Sequence, residues 1–191
     1  MQRLALVAIV AGFVALLPTQ AQDKKNPVVV METSMGKITI ELFEEKAPIT
    51  VKNFLRYADE KHYDGTIFHR VIADIMIQGG SFAPGMKERK DTHAAIENEY
   101  GLANERGTLA MARTNKPNSA TDQFFINVKD NAYLDRAKAQ DKVGYTVFGK
   151  VLDGMDVVDK IRKVDTADRG GHEAVPVADV VIKSVRRADK K

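Results

Sequence analysis

Two strand-like runs separated by three residues constrain this fold more than any other feature. Val28-Val29-Val30-Met31-Glu32-Thr33 and Lys37-Ile38-Thr39-Ile40-Glu41-Leu42 flank Ser34-Met35-Gly36, a spacing that predicts a tight β-hairpin. In the second run Ile38, Ile40 and Leu42 share one face while Thr39 and Glu41 take the other, so the sheet has one buried side. A helix follows: Pro48 suits a first helical turn, and Val51, Phe54, Leu55 and Ala58 form one apolar stripe, with Lys52, Asn53, Arg56 and Asp59 off it. Two strands joined by a bend are predicted within Ile67–Phe82, and further strands at 107–112, 123–128, 145–151 and 176–185. A second helix is expected after Asp153, which could cap it, with Met155, Val158 and Ile161 along one side. The polar stretch Ser81–Arg106 reads as a long connection, a length often tied to function. About eight strands and two helices, with the strands in runs rather than alternating with helices, argue against a doubly wound parallel sheet. A mainly β fold is expected: a closed eight-stranded antiparallel barrel capped by two α-helices, which buries both helical stripes and leaves no sheet edge.

The N-terminus belongs to a different grammar. Arg3 is followed by an uncharged run from Leu4 to Leu17 and then by Pro18-Thr19-Gln20-Ala21. This order predicts a secretory signal peptide over 1–21 cleaved after Ala21, since the run is shorter than the roughly 20 residues a membrane span needs. No cysteine follows it, which argues against a lipid anchor. The expected organisation is a short extension at 22–27, one domain at 28–187 and a basic tail at 188–191. The expected destination is a bacterial periplasm or the medium, with no stable membrane association after cleavage. Removing Arg3 takes the formal charge from +3 to +2, and the remaining charges are interleaved rather than clustered, so a nucleic-acid partner is not expected. With no cysteine there is neither thiol chemistry nor a zinc–thiolate site. The four histidines lack metal-ligand spacing, and neither HExxH, GxSxG nor a phosphate-binding glycine loop is present. No metal and no cofactor are expected.

Chemistry concentrates in three separated segments. The first is Phe68-His69-Arg70-Val71-Ile72, continuing through Met76-Ile77-Gln78-Gly79-Gly80; the second is Gly107 to Ala112; the third is Ser119 to Ile126, ending in Gln123-Phe124-Phe125-Ile126. Val147-Phe148-Gly149-Lys150-Val151 lies behind them. Taken in this order the segments resemble the cyclophilins, barrel-type peptidyl-prolyl cis-trans isomerases, and most closely their exported bacterial members. The resemblance spans about Val28 to Val185. It implies that Arg70 is the catalytic arginine and that Gln78 and Gln123 brace it and contact the peptide. By the same match the proline pocket is formed by Met76, Phe125 and Leu134, with Ile75 where the family usually has phenylalanine. Ala112-Arg113 matches the backbone segment that pairs with an extended substrate, often Ala-Asn elsewhere. Tyr145 replaces a rim histidine and Tyr133 a tryptophan that helps bind cyclosporin, departures that argue against strong cyclosporin binding. The partners implied are proline-containing polypeptides, among them unfolded exported proteins, met by a monomer.

The implied reaction breaks no covalent bond. An X–Pro amide rotates over a barrier of about 18–20 kcal/mol, and a 10⁴-fold acceleration requires lowering it by about 5.5 kcal/mol. In the twisted state the proline nitrogen gains lone-pair character, and a fixed cation that donates to it stabilises that state alone. Arg70 has this chemistry. An arginine in a strand is more often a solvated face residue, but the apolar flanks and the glutamine eight residues on favour a built site. Strand alternation is expected to put His69 opposite Arg70, in a structural role, and to send Phe124 and Phe125 to opposite faces. A barrel retained purely as a binding module is the rival reading, and a hydrolase lacks any nucleophile–base pair.

Overall fold

The protein is described by a computed structural model over residues 25–188. The expected signal segment with Ala21 lies outside the described residues, as does most of the basic tail.

Twelve strands and two α-helices follow in chain order: β1 Val28–Thr33, β2 Gly36–Leu42, α1 Pro48–Asp59, β3 Thr66–Ile72, β4 Met76–Gly79, β5 Phe82–Ala83, β6 Lys87–Glu88, β7 Thr108–Met111, β8 Phe124–Asn127, β9 Val147–Asp153, α2 Met155–Ile161, β10 Thr166–Arg169, β11 His172–Pro176 and β12 Val181–Arg187. A 3₁₀ turn, Ala132–Leu134, precedes β9. Eight of the strands close a barrel in the order β1-β12-β3-β4-β8-β7-β9-β2, and each pair in it is antiparallel. Closure leaves no exposed ladder edge in the main sheet. Val29, Met31, Ile38, Ile40 and Leu42 all point into the core, as the period-2 pattern of the hairpin requires.

Helix α1 begins at Pro48 and buries Val51, Phe54, Leu55 and Ala58. Phe54 is its anchor: the ring centroid lies 5.1 Å from Tyr63, 5.5 Å from Phe124 and 5.3 Å from Phe148. No residue of its own sequence caps it. Glu99, from the long 81–106 connection, accepts the Ile49 and Thr50 amides at 3.0 and 2.7 Å, placing a carboxylate where the first-turn N–H groups lack partners. Asn53 departs from expectation: it is buried, and its Nδ2 donates to the Thr121 carbonyl at 2.6 Å. Tyr57 is likewise buried, which widens the stripe.

Three further expectations are corrected. Asp153 ends β9, and the N-cap of α2 is Gly154 at φ 94° with no side-chain cap. The expected final strand at 176–185 is two strands: β11 pairs with β10 and stops at Pro176, which has no N–H to extend a ladder, and β12 restarts at Val181. The 81–106 connection carries the small β5–β6 hairpin and an isolated bridge between Ile96 and Ala120. Among the described residues no helix is long and apolar enough to cross a membrane.

Candidate active site

Register places the predicted residues in one line across the barrel wall. Arg70 on β3 stands opposite Gln78 on β4, Gln78 opposite Phe125 on β8, Phe125 opposite Ala110 on β7, and Ala110 opposite Val147 on β9. Directly paired residues share a face, and the chain neighbours of this row (Ile77, Phe124, Ile126, Leu109, Met111, Phe148) fill the barrel interior. The row therefore runs along the outer face. There Met76, Ala110, Phe125 and Val147 form a second apolar cluster, separate from the barrel core, against which Phe43, Ile72, Ile75, Leu102, Ala112, Leu134 and Tyr145 pack. Met76 and Phe125 are buried at its centre, and the Tyr145 ring meets Phe125 edge-on at 5.7 Å and 79°. Of the expected apolar and aromatic site residues, Tyr133 stays out of the cluster. It is half exposed on the 3₁₀ turn, and burial together with neighbouring Tyr145 pushes its phenol above the ordinary value.

Arg70 is only partly buried, and among the described residues no ion pair or side-chain hydrogen bond ties its guanidinium down. The expected Gln78–Arg70 brace is not formed. Gln78 Nε2 donates instead to Gln123 Oε1 at 2.8 Å, joining the two glutamines into one polar edge beside a cation with free donors. Arg113 also differs from expectation in its side chain, which is 3% exposed and paired with Asp141; only its backbone can face a peptide.

The alternation expected at His69 breaks. The β3–β4 register shifts between Phe68 and Arg70, a bulge, so that Phe68 and Val71 both reach the barrel core. His69 is buried against Phe82, ring centroids 4.6 Å apart, and Phe82 meets His172 of β11 at 5.0 Å. Its Nδ1 has no partner. Burial pushes the imidazole pKa down to about 4, with His172 and Arg70 acting in the same direction and Asp122 and the Gln123 side chain against.

Behind Gln123 lies a polar core with no signal in the local sequence. Buried Asp122 accepts from Ser81 Oγ at 2.7 Å and Thr121 Oγ1 at 3.1 Å, and pairs with His62 Nε2 at 2.8 Å. Tyr63 Oη donates to its carbonyl at 3.2 Å. Burial pushes the Asp122 carboxyl up, but the His62 and Ser81 hydrogen bonds outweigh it and hold the group below its usual value. This network fixes the backbone that presents Gln123. His62 and Asp122 are 60 residues apart, so only the folded chain reveals them as a pair. Among the described residues no group of three His, Asp or Glu side chains is placed to hold a metal ion.

Comparison with known proteins gives the family and the fold. The sequence profile of the cyclophilin type peptidyl-prolyl cis-trans isomerase family matches residues 28–187. A peptidyl-prolyl cis-trans isomerase of Acinetobacter baylyi is 54% identical over 182 residues, covering 94% of this chain and 94% of that protein. Peptidyl-prolyl cis-trans isomerase B of Escherichia coli is 56% identical over 161 residues, 83% of this chain and 98% of its own. The crystal structure of a Cryptosporidium parvum cyclophilin type isomerase in the presence of the dipeptide Ala-Pro superposes with a TM-score of 0.70 at 26% identity, covering 85% of this chain and 99% of that one.

Proposed function

The chain belongs to the cyclophilin-type peptidyl-prolyl cis-trans isomerases, and we propose that it accelerates X–Pro rotation in exported proteins by arginine stabilisation of the twisted amide. One observation carries the mechanism: an unpaired Arg70 stands in register with Gln78 and Phe125, at the edge of an apolar cluster outside the barrel core. The proline ring would seat on Phe125 between Met76 and Leu134, which holds one side of the amide still. The other side turns while Arg70 donates to the developing lone pair on the proline nitrogen. This interaction is absent from the planar ground state, so it lowers the barrier rather than merely tightening binding. The Gln78–Gln123 pair offers amide donors and acceptors to the peptide backbone, and the Ala112-Arg113 segment lies where an extended chain can pair. The Cryptosporidium relative was solved in the presence of the dipeptide Ala-Pro, which supports a short Ala-Pro peptide as the probe.

Export rests on the sequence of residues 1–21: a short basic start, an apolar run and a small-residue cut after Ala21. The mature chain is proposed to act as a monomer, without cofactor, in the periplasm or the medium. Line-shape NMR on a short Ala-Pro peptide tests the mechanism. The parent protein is expected to accelerate exchange, and Arg70→Ala to lose about 10²–10³ of that rate while its circular dichroism stays unchanged. An Arg70→Ala protein that isomerises at the parent rate removes the mechanism. Intact mass of the periplasmic form, expected to begin at Gln22, tests the address.

A further inference from the structure

Arg113 carries a role that its backbone position does not explain. It follows Ala112 in the segment expected to pair with substrate, yet its guanidinium is sequestered and cannot reach a peptide. Each nitrogen has its own acceptor: Nε donates to the Gly144 carbonyl at 3.0 Å, Nη1 to the Thr114 carbonyl at 2.9 Å, and Nη2 to the Asp141 carboxylate. Its remaining flat face lies over the Tyr145 ring, 4.5 Å from the centroid. Tyr145 also meets Phe125, the floor of the proposed proline pocket, edge-on. Asp141 does double duty, since its Oδ1 also accepts the Val143 and Gly144 amides at 2.9 and 3.2 Å and so shapes the loop that delivers Tyr145.

We propose that Arg113 is a positioning residue: it clamps Tyr145 against Phe125 and ties the 135–144 loop to the substrate-pairing segment. The pocket wall and the peptide-binding backbone are thereby set by one side chain. The arrangement uses what only arginine has, a planar fork that saturates three acceptors while stacking on an aromatic face. Lysine would keep the charge and lose both the fork and the flat stack. The Arg113 hydrogen bond, with the two loop amides, holds the Asp141 carboxyl down to about 2, so the clamp stays charged across any working pH. The inference rests on the reading of the outer cluster as the proline pocket.

The test separates binding from rotation on the full mature chain with the same Ala-Pro peptide. For Arg113→Ala, the peptide dissociation constant is expected to rise about tenfold, while exchange in the saturated complex stays within about twofold of the parent. Arg113→Lys is expected to recover only part of the affinity. Asp141→Asn keeps an oxygen for the two loop amides but puts an amide donor where Arg113 Nη2 needs an acceptor, so it is expected to release the clamp and weaken binding in the same sense while the loop turn is kept. Tyr145 ring resonances, shifted by Phe125 in the parent, are expected to move in all three variants. Should Arg113→Ala fail to fold, Asp141→Asn and Arg113→Lys decide the matter. Parent affinity with unmoved Tyr145 resonances in these variants overturns the clamp, as does a loss confined to the exchange rate. The failure of the isomerase reading looks different: the parent itself would give no acceleration.

Discussion

Acid should unfold this protein partly through one imidazole. His69 is buried, stacked on Phe82 and without a partner on Nδ1, and burial lowers its pKa from 6.5 to about 4. In the unfolded chain the same group titrates normally. Between those values the unfolded state binds more protons, so stability present above pH 6.5 is lost as pH falls through this window. At about 1.36 kcal/mol per pKa unit, the loss is about 2 kcal/mol by pH 5 and about 3 kcal/mol by pH 4, the range set by the two values. Asp122 and the other carboxylates held below their usual value also respond to acid, but they are common to parent and variant. A difference measurement removes them to the extent that the sites are independent. The perturbation is His69→Gln, which has no charge to gain. The assay is urea unfolding followed by circular dichroism at pH 7, 6, 5 and 4. The parent is expected to be the more stable at pH 7, and its advantage to shrink by about 3 kcal/mol at pH 4. An advantage that stays constant with pH, or grows in acid, refutes the assignment of a depressed imidazole.

Two other perturbations probe the frame around the site. Gly80 sits at φ 120°, and a Cβ there would lie 2.6 Å from the Asp122 carbonyl, so Gly80→Ala must displace the segment that presents Gln123. It is expected to cost about 2 kcal/mol or more and to slow peptide exchange, read by urea midpoint and NMR. Phe54→Ala removes a fully buried ring packed on three others and is expected to cost about 3–5 kcal/mol. Because that ring lies in the barrel core, the exchange rate per folded molecule should stay at the parent value.

What was legible in the sequence had short range. Period-2 alternation in β2 and the i, i+3, i+4, i+7 stripe of α1 follow from backbone geometry alone, so residues a few positions apart report them. The same holds for Phe124 and Phe125, which as adjacent strand residues must part to the core and the outer cluster. The resemblance named Arg70, Gln78, Phe125 and most of the cluster, whereas local pattern by itself would have left Met76 undecided between core and pocket. The missing parts are those made by distant residues. Glu99 caps α1 from 50 residues away, Asp122 gathers His62 and Ser81, and Asp141 reaches Arg113. No periodicity encodes such pairs. The Gln78 brace was misdirected for the same reason: glutamine amides bond whatever the fold brings nearest, and that is Gln123.

The bulge at His69 is what makes the outer row possible. Phe68 belongs to the barrel core, and uninterrupted alternation would carry Arg70 to the same interior face, where an unpaired guanidinium would be very costly. One extra residue in β3 resets the count. Phe68 and Val71 both keep their places in the core, and Arg70 turns outward, opposite Gln78 and in line with Phe125. The inserted residue is His69 itself, which is left buried with an unsatisfied nitrogen. A neutral imidazole tolerates this far better than a charged one. The depressed pKa of His69 and the free guanidinium of Arg70 thus share one cause. A backbone irregularity moves the charge to the outer face beside Gln78 and Phe125 and leaves the buried, unpartnered nitrogen on its neighbour, where acid finds it.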